Sequence, residues 1–557
     1  MDRQLPRASS DEIDLYIRTY YSLLRSSGDV RVRAFEESHL FSSSSLHAGA
    51  EGITPDLAAF AYSAGRLPDC MPKIRRIVLG QSFAQFSAAG YHVDKWQVVR
   101  TRGRRRPLRY DGGTTLAAFI ASASDIDDLV PIVTAYQIEW NKLHECMVGA
   151  RLVDVSNDDA IGEALGVDAA GVARLRGALG PRSTDVLQEV ISHDCDLFLR
   201  LLDGSYREYQ RSTQRWWNAI AKAVPENRPV YFVSSNSHSL ANLCGGYARH
   251  HKDEIVDFLR SRDMEGLAPR YDEAVAKGDA SLATNILYYA LRAFLHAEST
   301  RMTQVQESDA AAGIQAIASP GKIDVDAQVI DISALRPANL DPRVHVAGIE
   351  RLSASRAVII NIDYPLGMAA YHHLSAATLG VAELRGIYIM GKAATLNGRV
   401  GDVMISKAIH DEHSANTYLF RNALTAADVQ PFMKYGTVLD NQKAVTVRSA
   451  FLQNREYMDT FYREGYTVME MEAGPYLSAA YEIAEPRRHP KDELVSLVDQ
   501  NSFELGVIHY ASDTPYSRRQ SLLSKSMSYF GMEATYGCAI AISRRIFMSE
   551  LARLGSS

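Results

Sequence analysis

Two apolar segments near the end of the chain decide its fold: Tyr466-Thr-Val-Met-Glu-Met-Glu-Ala-Gly-Pro-Tyr476 and Gly506-Val-Ile-His-Tyr-Ala-Ser-Asp-Thr-Pro515. The first segment carries two carboxylates, Glu470 and Glu472, from a strand into the start of a helix. The second segment ends on a lone carboxylate, Asp513. In open α/β sheets, ligands bind outside the carboxyl ends of the strands, so these acids are candidates for one site.

The residues around these segments alternate between strand and helix patterns. Apolar runs bounded by turn residues predict strands at 357–363, 386–390, 402–408, 435–439, 466–471 and 505–511. Helices are expected between them, over 368–379, and after the last strand, over 517–530. This alternation predicts an α/β domain with a mostly parallel central sheet flanked by helices.

The first part of the chain has a different pattern. Apolar positions recur three and four residues apart from Asp11 onward, which predicts amphipathic helices there and at 125–147, 184–224 and 281–297. One strand–turn–helix unit, 229–243, interrupts this pattern. Ser, Ala, Asp and Pro accumulate over 300–325, where we expect a linker. We therefore predict a mainly helical domain over 1–320 and the α/β domain over 321–557.

Composition narrows the class of protein. The 557 residues are 46% hydrophobic and 23% charged, with a net charge of -6, which disfavours nucleic-acid binding. The five cysteines include no C-x-x-C pair and are interpreted as thiols in a reducing compartment. The first residues lack the apolar core of a signal peptide, and no apolar run approaches the roughly 18 residues of a spanning helix. We expect a cytoplasmic protein without a membrane partner.

Six short motifs of the second domain resemble the nucleoside phosphorylase and nucleosidase superfamily, and most closely its AMP nucleosidase branch. They stand in that family's order, at 391–402, 410–413, 436–440, 447–451, 470–473 and 512–515. The resemblance covers about residues 345–557, and the N-terminal half resembles no family in this way. It implies hydrolysis of the N-glycosidic bond of a purine nucleotide or nucleoside, without cofactor or metal, in a homo-oligomer.

The chemistry of this cleavage gives each acid a role. Positive charge builds on the sugar as the bond breaks, and the purine leaves more readily when it is protonated. The resemblance makes Asp513 the general acid for the base and Glu472 the partner of the ribose hydroxyls. Asp363, at the end of the first strand, is the candidate that activates water. In the alternative interpretation, Asp513 and the glutamates only cap helices, and Asp363 only ends a strand.

The other candidates would bind the substrate. Phe451 is expected to stack on the base, and Met471 to lie against the sugar. Further contacts are expected from Glu470, Gly391, Lys392, Arg448 and Ser512. The alternatives are a core position for Phe451 and solvated surface positions for Lys392 and Arg448. His410 and His413 are expected to contact substrate or a neighbouring subunit, because no further metal ligands cluster with them.

Whether water or phosphate is the nucleophile depends on the presence of arginines that could hold a phosphate. Phosphorylases of the superfamily hold phosphate with arginines, one of them just before the glycine turn, where this chain has Ile389 and Met390. A phosphate dianion without a guanidinium would be poorly held, so water is the expected attacker. A purine nucleoside phosphorylase, a non-catalytic nucleotide sensor and a nucleotide-depleting effector enzyme remain alternatives. The sequence leaves open the preferred base and the number of phosphates.

An arginine-rich run in the N-terminal half stands outside this resemblance. Residues 102–109 contain five arginines in eight positions. Such a run is suited to polyphosphate or an acidic partner, and is equally compatible with a solvated loop.

Overall fold

The structure is a computed structural model that describes residues 11–26, 28–151, 154–202, 204–224, 227–262, 266–320, 323–486, 488–498, 502–514 and 529–556. It is a mixed α/β protein in which helices surround two sheets. The helix expected over 517–530 lies almost wholly outside the described residues. Across the described ranges, no helix is both long enough and apolar enough to cross a membrane.

The helices are numbered in chain order. They are α1 (Asp11–Ser26), α2 (Arg33–Phe41), α3 (Leu57–Ala64), α4 (Phe83–Ala88), α5 (Ala123–Gly149), α6 (Asp158–Leu165), α7 (Ala169–Leu179), α8 (Ser183–Ser192), α9 (Tyr206–Ala221), α10 (Ser239–Gly245), α11 (Tyr247–His250), α12 (Lys252–Arg262), α13 (Leu267–Ala276), α14 (Ala280–Ala297), α15 (Ser299–Ala311), α16 (Ala369–Thr378), α17 (Ala426–Val429), α18 (Arg455–Arg463), α19 (Ala473–Ala484) and α20 (Tyr529–Ser556).

The strands are numbered in the same way. They are β1 (Val30–Arg31), β2 (Arg76–Gly80), β3 (Gln97–Val99), β4 (Leu108–Tyr110), β5 (Thr115–Phe119), β6 (Phe198–Leu201), β7 (Pro229–Ser235), β8 (Ile314–Ile317), β9 (Ala327–Asp331), β10 (Val358–Asp363), β11 (Glu383–Thr395), β12 (Val403–Asp411), β13 (Thr417–Leu419), β14 (Val438–Thr446), β15 (Tyr466–Glu470), β16 (Leu494–Ser496) and β17 (Glu504–Asp513).

The smaller sheet belongs to the N-terminal half. Its six strands lie in the order β1-β6-β2-β5-β4-β3, with β2 parallel to both β5 and β6. The sequence did not predict this sheet, because none of its strands exceeds five residues and so short an apolar run carries no clear period. The helix expected over 184–224 is therefore wrong in its middle, where β6 separates α8 from α9.

The larger sheet runs in the order β16-β13-β12-β14-β15-β11-β7-β10-β9-β8, and β17 pairs with both β11 and β12. Parallel pairs join β10, β7, β11 and β17, and also join β12, β14 and β15. Antiparallel pairs connect these two sets, so that β11, β15, β14, β12 and β17 close a ring. The sheet is therefore mixed in direction.

The larger sheet takes strands from both sides of residue 320. β7 lies between β10 and β11, in parallel register with each. Residues 300–325, where a linker was expected, include most of α15 and all of β8, which pairs with β9 at the sheet edge. A fully buried strand such as β7 needs neighbours on both sides, and these come from later in the chain.

The N-terminal half docks against the loops that follow β10, β12 and β14. Ser45 donates its amide to the Gln453 carbonyl at 2.7 Å, and the Asn454 side chain donates to the Ser42 carbonyl at 3.2 Å. Phe451 and Leu452 join the apolar core of the N-terminal half. These contacts bring residues of the first half to the edge of the sheet that carries the candidate acids.

Candidate active site

Three strands meet at the end of β11 and bring the predicted acids together. Ala394 of β11 pairs with Met469 of β15 on one side and with Asp513 of β17 on the other. Neighbouring strands lie about 4.8 Å apart, so the backbones of Met469 and Asp513 are about 10 Å apart across Ala394. Glu470 and Glu472 follow Met469 directly. Two carboxylates predicted from separate segments thus lie within reach of one ligand.

Glu470 is a buried carboxylate at the end of β15, just before α19 begins. It accepts hydrogen bonds from the amides of Glu472 and Ala473, each at 2.7 Å, and from the Thr446 hydroxyl. Burial raises its pKa to about 7, and these donors oppose that shift. The helix-capping interpretation therefore describes its contacts, and the carboxylate positions Glu472 by holding its amide.

Glu472 is partly buried and stands at the N-cap of α19, but its carboxylate makes no capping hydrogen bond to the amides of that helix. Burial raises the pKa of Glu472 to about 8, with a further contribution from Glu470, while Arg104 lowers it. A group with this pKa carries a proton much of the time near neutral pH. Ribose hydroxyls would donate more strongly to its ionised form, which the Arg104 guanidinium favours.

Asp513 is partly buried at the end of β17. Its Oδ1 accepts the Thr514 amide at 2.8 Å. Burial raises the pKa of Asp513 to about 6, against the lowering effects of that amide and of Arg66. A carboxyl with a pKa near the operating pH is suited to general acid catalysis.

Asp363 is held by two partners at the end of β10. The Arg105 guanidinium forms an ion pair with one oxygen, and the Ser237 amide donates to the other at 2.7 Å. Burial raises its pKa, and Arg105 opposes the shift. The carboxylate that was expected to activate water is thus engaged in an ion pair between the two halves of the chain.

The structure does not place Phe451 among the site side chains. Its ring is fully buried and lies 5.3 Å from the Tyr62 ring, 6.0 Å from His39 and 6.2 Å from His47, measured between ring centres. The expectation that Phe451 stacks on a base is corrected by these contacts, because the surrounding protein rings occupy the space beside it. The alternative interpretation, a core aromatic, describes its surroundings.

Other predicted binding residues lie around the end of β11. Gly391 is buried and a β-carbon there would lie 3.6 Å from the His509 ring, while Ser512 donates to the Ala393 carbonyl at 3.4 Å. Met471 packs, partly buried, beside Met469. Lys392 is open to solvent, yet burial of its ammonium and the nearby Arg66 lower its pKa.

Arg448 faces the N-terminal half and a buried acid. Its amide donates to the Glu412 carboxylate at 3.0 Å, and its Nε donates to the Glu412 carbonyl at 3.2 Å. Burial raises the pKa of Glu412 to about 7, and the Arg448 amide opposes this shift. These contacts fix Arg448 in the loop after β14, where it also lowers the pKa of Asp127 against the larger effect of burial.

His413 joins the two halves through a short hydrogen-bonded chain. Its Nδ1 lies 2.9 Å from Asp411, and its Nε2 lies 3.2 Å from the hydroxyl of Ser124 in α5. Ser124 is fully buried and also accepts the Met368 amide at 2.9 Å. A β-carbon on Gly367 would lie 2.3 Å from this hydroxyl, so the Gly367 backbone packs closely against Ser124 where the two halves meet.

Sequence reasoning missed the cations that the N-terminal half brings to the site. The run 102–109 partly turns inward: Arg104 pairs with Asp128 at 2.6 Å, and Arg106 pairs with Asp125 and Asp128, each at 2.9 Å. Arg66 lowers the pKa of Asp513 and of Lys392, and Arg104 lowers the pKa of Glu472. Arginine density was the available signal, but no sequence pattern connects these arginines to residues 392–513.

No group of three or more His, Cys, Asp or Glu side chains within the described ranges is arranged to hold a metal ion. A family model described as a family of unknown function matches residues 32–548 of the chain. No curated protein matches the chain.

Solved structures similar to the chain include nucleosidases and phosphorylases. A 5′-methylthioadenosine/S-adenosylhomocysteine nucleosidase from S. pneumoniae is 13% identical, with 43% of this chain and 90% of that chain covered and a TM-score of 0.27. The corresponding Neisseria meningitidis enzyme is 10% identical (58% and 99% covered, TM-score 0.29). Uridine phosphorylase from Vibrio fischeri is 8% identical (44% and 88% covered, TM-score 0.27). Similarity at these scores assigns no function.

Proposed function

The chain belongs to a family of unknown function (DUF6909), and we propose from its own residues that it hydrolyses the N-glycosidic bond of a purine nucleotide or nucleoside. The observation that carries this proposal is the pair of partly buried carboxyls, Glu472 and Asp513, on either side of the end of β11. Burial raises the pKa of both. Cleavage of a bond between a sugar and a base uses two such groups in different protonation states.

In this proposal Asp513 protonates the departing base, and Glu472 in its ionised form accepts the ribose hydroxyls. A carboxylate beside the sugar also stabilises the positive charge that develops there. Asp363 is bound to Arg105 and is assigned a positioning role. The AMP nucleosidase-like character, the assignment of catalysis to residues 321–557 and the homo-oligomer belong to the same proposal and rest on the motif resemblance. The cytoplasmic location is proposed with them and rests on the scattered cysteines.

Phosphorolysis is the second candidate, because one observation favours it. Arg66 lies close enough to Asp513 and to Lys392 to lower the pKa of each, so positive charge collects here, although the strand ends lack the arginines of phosphorylases. Free phosphate held there would compete with water as the nucleophile. The two reactions give different sugar products, ribose or ribose phosphate in hydrolysis and ribose 1-phosphate or its derivatives in phosphorolysis.

A base-release assay tests the proposal. Purified full-length protein is incubated with AMP, adenosine or methylthioadenosine, with and without inorganic phosphate, and free adenine is measured by chromatography. We expect adenine release from at least one of these substrates in the absence of phosphate. Release that requires phosphate would favour phosphorolysis, and no release from any substrate in either buffer would refute N-glycosidic cleavage of these adenine compounds.

The pH dependence of base release follows from the same two groups. Catalysis requires Asp513 in its protonated form, and the protonated fraction falls as the pH rises above about 6. It also requires Glu472 in its ionised form, and the ionised fraction falls as the pH drops below about 8. The product of these fractions is constant between the two values and falls outside them. We expect a bell-shaped profile of kcat/KM with apparent pKa values of about 6 and 8. A rate that keeps rising with pH above 9 would contradict the acid role of Asp513.

A further inference from the structure

Arg66 is a partly buried cation without a carboxylate partner. Its guanidinium lies 3.3 Å from the centre of the Tyr62 ring, and its Nη1 donates to the Tyr62 carbonyl at 3.1 Å. Its Nε is buried without a hydrogen-bond partner, and among the described residues no carboxylate lies within 4.0 Å of the guanidinium. Stacking on an aromatic ring fixes the plane of a guanidinium while its remaining N–H groups stay available.

Lys392 provides a second cation, close enough to Arg66 for the arginine to lower its pKa. It follows Gly391 on β11, and within the described ranges its ammonium makes no hydrogen bond or ion pair. It pairs in register with Tyr510, three residues before Asp513. The loop that carries Arg104 is tied to Arg66, because the Gly103 amide donates to the Gly65 carbonyl at 2.7 Å. Backbone contacts therefore fix the two arginine-bearing loops together.

The acids beside these cations do not neutralise them fully. Burial raises the pKa of Glu472 to about 8 and of Asp513 to about 6, so near pH 7 Glu472 is largely neutral and only Asp513 is largely ionised. Arg104 differs from Arg66, since Asp128 already pairs with it at 2.6 Å. Arg66 and Lys392 together therefore carry more positive charge than the ionised carboxylate beside them. Two partly desolvated cations of this kind favour an anionic ligand with several oxygens.

We propose that Arg66 and Lys392 form a phosphate subsite of the candidate active site, to which the N-terminal half of the same chain contributes the guanidinium. This inference rests on the proposed function and names its substrate class. A guanidinium presents two parallel N–H donors to two phosphate oxygens, and an ammonium binds a third as a point charge. The phosphate has two possible sources: the ribose of a nucleotide substrate, or free phosphate beside a nucleoside.

Both sources give balanced reactions. With a nucleotide, the bond from C1′ to the base breaks, water forms the new C1′–O bond and releases a proton, and the base takes the proton of Asp513. With free phosphate, a phosphate oxygen forms the C1′–O bond in place of water, and the base again takes that proton. Arg66 and Lys392 bind the phosphate in each case and transfer no proton.

Binding measurements test the subsite without requiring turnover. Titration calorimetry is carried out on the full-length protein with AMP, adenosine, inorganic phosphate, and adenosine in the presence of phosphate. If the substrate carries the phosphate, AMP binds more tightly than adenosine, and Arg66→Ala weakens AMP binding about tenfold to hundredfold, the loss expected for hydrogen bonds to a charged group. If phosphate binds free, adenosine binds more tightly with phosphate present, and Arg66→Ala removes this gain.

Arg102→Ala is the matched control, since Arg102 lies in the neighbouring arginine-bearing loop, next to Gly103, and has an exposed side chain. It should bind every ligand as the wild type does. The proposal would be overturned if Arg66→Ala bound AMP and phosphate as tightly as the wild type binds each of them. If Arg66→Ala does not fold by circular dichroism, Lys392→Gln is measured, with the same weakening expected and the same equality contradicting the proposal. If AMP binding depends on Arg66 but no adenine is released, the subsite is retained and the cleavage reaction is refuted.

Discussion

The Asp513→Asn variant is expected to release purine base about 10²–10⁴-fold more slowly than the wild type, the range typical of a lost general acid. Asparagine keeps the shape of the side chain and its acceptor for the Thr514 amide, but it has no proton to give. The loss should appear mainly in kcat, because protonation of the base belongs to the transition state. Steady-state assays of adenine release measure it.

A substrate with an activated leaving group separates acid catalysis from structural damage. A nitrophenyl riboside releases a stable phenolate that needs no proton, so Asp513→Asn should cleave it within a few-fold of the wild-type rate. Asp257→Asn, which changes an exposed carboxylate of α12, serves as the control and should not alter either reaction. An Asp513→Asn enzyme that releases adenine at the wild-type rate would remove Asp513 from the mechanism.

The Phe451→Ala variant is expected to lose about 3–5 kcal/mol of unfolding free energy, the usual cost of deleting a fully buried phenylalanine ring. Phe451 comes from the loop after β14 but packs in the core of the N-terminal half, against Tyr62, His39 and His47. Its removal should therefore loosen the docking of the two halves as well as the core. Urea unfolding followed by tryptophan fluorescence measures the change in midpoint.

Two comparisons distinguish docking from base stacking. Phe451→Leu keeps most of the apolar volume and should cost less than about 1.5 kcal/mol. Phe41→Ala removes an aromatic ring that is 56% exposed and should leave stability within about 0.5 kcal/mol of the wild type. Unchanged stability in Phe451→Ala, combined with weaker adenine binding, would restore the stacking interpretation and contradict the packing argument.

Several elements were predictable because their signals are local. The strands at 358–363, 466–470 and 504–513 lie where apolar runs predicted them, and so do the helices at 11–26 and 280–297. Burial of a continuous apolar run, or of one face of an amphipathic helix, can be inferred from neighbouring residues alone. The strand β14 begins three residues later than the segment 435–439 predicted, since boundaries depend on pairing with β12 and β15.

The non-local features were not predictable in this way. The short strands of the smaller sheet are stabilised by partners far along the chain, such as β6 beside β2. Phe451 is a core residue because a surface of the N-terminal half accepts it, which nothing in the sequence around it indicates. Asp363 acquires Arg105, 258 residues earlier, as its partner. Contacts across such separations depend on how complete elements pack.

The sequence by itself determined that Glu470, Glu472 and Asp513 stand at strand ends, because the alternation of apolar strands and turn residues places them there. Only the tertiary structure decided the protonation states of these acids and the charged residues beside them. Burial raises the pKa of each acid, and Arg66 and Arg104 reach them from the N-terminal half. Desolvation and Coulomb interactions depend on distances in space, and distance along the chain does not specify them.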